Sequence, residues 1–194
     1  MKSIEYWRTD IEYDAAYSLV AASDFLALVD AKPHYWRWFV LAVHSAVQGA
    51  LALALTNGNL FHVQKPSVTC RMLAALESGS QGLEFPNPHM DNFLRLYAKA
   101  KQAAYLRSGA TPLPTDERHE RALSSLDEMR DEFVHFNSKS WSVEISYMIK
   151  TAAVACEVID HVFESGAVLW HSDESKKEAD RALQSLKKAL AEKG

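Results

Sequence analysis

Arg130, Asp131 and His135 place a cation, a carboxylate and an imidazole within one short stretch of chain. Metal-free phosphodiester chemistry uses this set: a fixed positive charge, a proton carrier and a group that orients it. Asp131 and His135 are four apart and share a helical face, where a carboxylate fixes the imidazole tautomer and raises its pKa. At 100° per residue, Arg130 and His135 stand about 140° apart on an ideal helix. One copy therefore splits the pair, and a two-fold dimer of facing helices would reunite it. The bland counterpart is a histidine that favours the helix C-terminus through the dipole, with an exposed intrahelical Asp131–His135 pair.

Other residues bear weighing beside these. Lys139 and Trp141 follow the stretch closely and could hold a phosphate and stack a base as substrate-binding residues. Their plainer roles are a solvated lysine and a tryptophan that seals the end of a helix pair. Arg37 and His44 form a second Arg–His pair, with Trp38 directly after the arginine. His44 and Gln48 are one turn apart and are expected to hydrogen-bond inside the bundle. The cluster Tyr35-Trp36-Arg37-Trp38 reads either as an interface or, preferably, as core packing at a helix start. The remaining histidines lack the spacing of a metal site, and no glycine-rich phosphate loop is present, so neither a metal nor another cofactor is expected.

The elements that must position these residues are all helical. Apolar residues recur at three-to-four spacing, and no stretch alternates like a strand. Helices are expected at about 10–31, 33–56, 68–78, 91–107, 115–136 and 143–170, with a last one from Ser175 capped through Glu178. The second is apolar almost all round and should be central. It carries His44, Ser45 and Gln48, which favours a buried bundle helix over a membrane span. In the helix that bears Arg130, residues Ala122, Leu126, Met129, Phe133 and Phe136 define the buried face, with Asp131 and His135 nearly opposite. Short connections between long helices imply an all-α, up-and-down antiparallel bundle. Its body is residues 1–171, with an amphipathic helix at 172–194 that packs on the bundle or on a partner.

Composition narrows the functional classes. With 21 basic against 25 acidic residues the net charge is −4, so nucleic-acid contact must use a local patch. Two cysteines, Cys70 and Cys156, lack a CxxC spacing and fit a reducing cytoplasm. The first residues show no apolar signal-peptide core.

The Arg130–Asp131–His135 pattern resembles the motif of the HEPN superfamily: an arginine, a polar residue, a short spacer and a histidine on a helix. Phe136 and Trp141 look like an extended form seen in uncharacterised bacterial members. The stretch 43–48 is similar to the family's early buried helix, and 152–159 to its closing helix. The resemblance spans roughly residues 10–165 and implies a helical bundle that dimerises along the motif helix. In active members it implies metal-independent endoribonuclease chemistry on RNA. His135 would be the proton carrier, Arg130 the stabiliser of phosphate charge and Asp131 the orienting group. It also suggests an antitoxin or nucleotidyltransferase as a partner, in a toxin–antitoxin or defence setting. The branch paired with a nucleotidyltransferase carries a tyrosine two residues past the histidine, where this chain has Asn137. Many members are silent scaffolds, so a non-catalytic helical module that binds a protein or a nucleotide is the alternative.

Overall fold

A computed structural model describes residues 6–7, 9–56, 58–79, 84–135 and 140–194. Seven helices follow in order: α1 (Ile11–Leu28), α2 (Tyr35–Leu55), α3 (Pro66–Glu77), α4 (Phe93–Ala100), α5 (Glu117–Val134), α6 (Ile145–Glu164) and α7 (Asp173–Lys193). Among the described residues there is no strand, only a single bridge between Gln64 and Met90. The protein is an all-α helical bundle.

α2 is the centre. Phe39, Val43, Val47, Leu51 and Leu55 are all buried, and α1, α4, α5 and α6 pack around it. Each such side chain contributes about 1.5–3 kcal/mol when it leaves water. Of the described helices, α2 alone is long and apolar enough to cross a membrane, and most of it is buried inside this bundle. Trp36, at its start, is buried edge-on against Phe39, and Tyr35 stacks on Phe25 of α1. Most of the aromatic cluster is thus packing, while Trp38 stays half-exposed.

Contacts along the helices give their directions. Gly49 of α2 approaches Ala15 of α1, while Tyr35 meets Phe25, so this pair is antiparallel. Arg118 with Glu157 and Ser125 with Tyr147 make α5 and α6 antiparallel as well. α7 runs parallel to α1: Glu12 meets His171 and Ser172, Ser23 meets Ser185, and Asp30 meets Lys193. Of the two placements open to the last helix, it takes the bundle, burying Ala179, Leu183, Leu186 and Leu190 on α1 and α6. Glu12 is a buried carboxylate that secures this junction. It accepts from the backbone N–H of His171 at 2.7 Å and of Ser172 at 3.1 Å.

Several boundaries differ from expectation, among them the end of α1, which stops at Leu28 and not near residue 31, and the start of α3, which is Pro66. α4 stops at Ala100, and a 3-10 turn at Ala103–Tyr105 replaces its last stretch. α6 stops at Glu164 because Gly166 adopts φ +75°, the left-handed conformation that ends a helix, and residues 167–170 leave the helical path. α7 is capped by Ser172, whose side chain accepts from Ser175 N at 3.1 Å. Ser175 is therefore the capped residue and not the cap, and Glu178 pairs with Arg181 instead.

A candidate functional site at the end of α5

α5 begins at Asp116, whose carboxylate caps Arg118 N at 2.8 Å, with Glu117 and Glu120 in the first turn. It buries Leu123, Leu126 and Met129 and holds Ala122 at the edge of the core. The buried stripe is wider than expected on the Leu123 side. Asp127 and Arg130 follow Leu123 at helical spacing, so both are drawn towards α2 and only partly exposed.

There they line a cleft of about 350 Å³ with His44 and Gln48 of α2, and with Lys65, His89, Asp91 and Asp131. Arg130 pairs with the adjacent Asp131 carboxylate, which fixes the guanidinium at the cleft. His44 lies deep. Its Nε2 is 3.0 Å from Asp127 Oδ1, and its ring stacks on Phe93 at 4.1 Å between centroids. The expected bond to Gln48 does not form, because Asp127 captures the imidazole and Gln48 donates to Met90 Sδ at 3.3 Å. Burial pushes the His44 pKa down; the Asp127 hydrogen bond and charge oppose that, and Arg130 adds to the lowering.

Across the cleft, Lys65 and His89 are held by backbone pairing, with Lys65 N donating to His89 O at 3.0 Å. Asp91 is buried and forms an ion pair with Lys99 at 2.8 Å. Lys99 also donates to the carbonyls of His62 and Gln64, so one ammonium ties α4 to the segment carrying Lys65.

Of the residues singled out by sequence, Arg130 and Asp131 meet at this cleft, and His135 does not line it. His135 ends α5 as its C-cap, exposed, with φ −89° and ψ 99°. Its tie to Asp131 runs through the backbone, His135 N donating to Asp131 O at 2.9 Å. Trp141 packs on Phe133 at 4.8 Å between centroids, which closes the end of the α5–α6 pair. Lys139 and Phe136 lie outside the described residues. Sequence reasoning missed Asp127, Lys65 and His89. Asp127 is one turn before Arg130 and carried a local signal, whereas Lys65 and His89 reach the cleft only through the path of a long connection. Among the described residues, no group of three or more His, Cys, Asp or Glu side chains is arranged to hold a metal ion. No family model, curated protein or solved structure matches the chain.

Proposed function

We propose that this chain is a HEPN-like, metal-independent endoribonuclease whose site at the end of α5 is completed by a second copy. The observation that carries this reading is the separation within one chain. Arg130 sits fixed by Asp131 at a cleft, while His135 stands exposed outside its lining. On this reading, a facing α5 brings the partner's exposed imidazole to the guanidinium at the cleft. In the reaction, His135 takes the 2′-hydroxyl proton as that oxygen bonds to phosphorus and the bond to the 5′-oxygen breaks. Arg130 neutralises the charge that develops on the phosphoryl oxygens. The leaving 5′-oxygen takes a proton from solvent water, the imidazolium of His135 returns its proton to solvent, and a 2′,3′-cyclic phosphate remains.

The test is cleavage of single-stranded RNA by purified protein in the presence of EDTA. Arg130→Ala and His135→Ala should each lower the rate by about 100-fold or more while the far-UV spectrum is unchanged. Wild-type rates in either variant would overturn the reading. Loss in His89→Ala with none in His135→Ala would move the proton carrier into the cleft of a single chain and remove the need for a second copy.

A second reading has its own support. Asp91, Asp127 and Asp131 outnumber Arg130 and Lys65 around the cleft, a poor balance for attracting a polyanion. On that reading the chain is a non-catalytic module for a protein or nucleotide partner, and wild-type protein leaves RNA intact.

A further inference from the structure

Among the described residues that line the α5 cleft, Arg130 and Lys65 carry fixed positive charge. The position of Lys65 has a local cause. Pro66 opens α3, and a proline holds the residue before it in extended backbone. Lys65 accordingly has φ −58° and ψ 141°. Its N–H donates to His89 O at 3.0 Å, and its carbonyl accepts from Val68 N at 2.9 Å and Thr69 N at 3.0 Å.

The segment behind it is equally fixed. Gln64 is buried, bridges to Met90, and accepts from His89 N through its side-chain carbonyl. Lys99 donates to Gln64 O at 2.8 Å while it pairs with the buried Asp91 at 2.8 Å. The root of Lys65 is therefore held as firmly as a helical residue, although it lies in a connection. A group held in place before a ligand arrives loses less freedom on binding it.

Charge shows what such a lysine can do. The carboxylates of the lining are engaged within the protein: Asp91 meets Lys99, Asp131 meets Arg130, and Asp127 accepts from His44. Among the described residues, none forms an ion pair or hydrogen bond with the Lys65 ammonium. Lys65 is half-buried, and an ammonium partly withdrawn from water gains when an anion answers it.

Arg130 enters the same cleft from α5. Asp131 engages its Nη1, and a guanidinium has further N–H donors that match phosphate oxygens. The cleft holds about 350 Å³, at the small end of the range of about 300–1,000 Å³ usual for ligand sites. A volume this small directs two lining cations to one phosphate, not to successive phosphates of a strand.

We propose that Lys65 and Arg130 form a two-sided clamp for one phosphate of a single-stranded nucleotide chain. The clamp rests on the reading of the α5 end as a ribonuclease site, and it adds a substrate-binding residue from outside the motif helix. Lys65 meets a charge that the phosphate already carries before reaction, so it serves binding more than the chemical step.

Two measurements on the purified full chain separate the clamp from the chemistry. In the first, thymidine 3′-monophosphate, which has one phosphate and no 2′-hydroxyl, is titrated by calorimetry beside thymidine. The nucleotide should bind at least about tenfold more tightly than thymidine, and Lys65→Ala and Arg130→Ala should each weaken it about tenfold. Lys65→Met keeps the apolar stem and should match Lys65→Ala, which excludes a folding defect. Lys65→Arg keeps the charge and should stay within about threefold of wild type. Lys177→Ala, which removes an exposed lysine of α7, should change nothing. In the second, cleavage of single-stranded RNA by Lys65→Ala should show KM raised about tenfold and kcat changed by less than about threefold.

No saturable nucleotide binding, equal binding of thymidine, or indifference to Lys65→Ala would each overturn the clamp, even where RNA is cleaved. A loss in Lys177→Ala as large as in Lys65→Ala, or an unchanged KM in Lys65→Ala, would do the same. If wild type leaves RNA intact while nucleotide binding falls in both Lys65→Ala and Arg130→Ala, the ribonuclease reading fails and the clamp stands as a nucleotide site.

Discussion

His44 on α2 and Asp127 on α5 meet at 3.0 Å, with the imidazole N–H donating to the carboxylate at the base of the Arg130 cleft. This pair is the polar link between the central helix and the helix that bears the candidate site. His44 is buried, whereas Asp127 keeps about a quarter of its side chain in solvent, at 27%. Removing the carboxylate strands a buried ring nitrogen, so Asp127→Ala should cost about 1–3 kcal/mol in urea denaturation. Asp127→Asn retains an acceptor and should cost less.

The same pair sets a pH dependence. Burial, partly offset by Asp127, holds the folded-state pKa of His44 below its ordinary 6.5. The unfolded chain then binds more protons than the folded one as pH falls below 6.5. The contribution of His44 is therefore fully present above that pH and lost as pH falls through the folded-state pKa. Denaturation at pH 7.5 and at about pH 5 should show a smaller stability difference in His44→Gln than in the wild type.

A shared site makes a quantitative demand on mixtures. If Arg130 serves with the partner's histidine, inactive Arg130→Ala and His135→Ala proteins should complement each other after refolding together. Random pairing restores about a quarter of the wild-type sites, because half of the dimers are mixed and each of those has one intact site. Activity that stays at background in the mixture, with both variants folded and dimeric, places both residues in one chain.

Gly49 tests the α1–α2 closure. A Cβ built there would lie 2.8 Å from Ala15 Cβ and 3.0 Å from Ala15 Cα. Gly49→Ala gains about 1 kcal/mol of helix propensity, but overpacking against a backbone that cannot move aside costs about 1–3 kcal/mol. The melting temperature should fall by up to several degrees, at about 2–4 °C per kcal/mol. Adding Ala15→Gly should recover part of the loss.

The two cysteines should separate cleanly in a thiol titration. Cys70 is exposed, and Cys156 is buried in α6 with its pKa pushed up to about 12 by that burial. Ellman's reagent should label Cys70 in the native protein and Cys156 only after unfolding, since thiolate and access are both required.

The helical architecture was legible in the chain because it is written in local repeats. The three-to-four spacing of apolar residues marks the helices, and the all-round apolarity of 39–55 marks α2 as central. Helix ends were less legible where a glycine's backbone or a distant capping choice decides them, as at Gly166 and Ser172. The site was only half legible. Arg130 and Asp131 are neighbours in sequence, so their pairing needed no fold to reveal it. The partner of His44 was decided by tertiary structure. Gln48 stands one turn away on the same helix, yet Asp127, 83 residues distant, takes the ring because the packing of α5 on α2 brings its carboxylate there. Local periodicity fixes which face a residue occupies. Which residues share a cleft depends on how faces from distant segments are pressed together, and for Lys65 and His89 only the folded connection decides it.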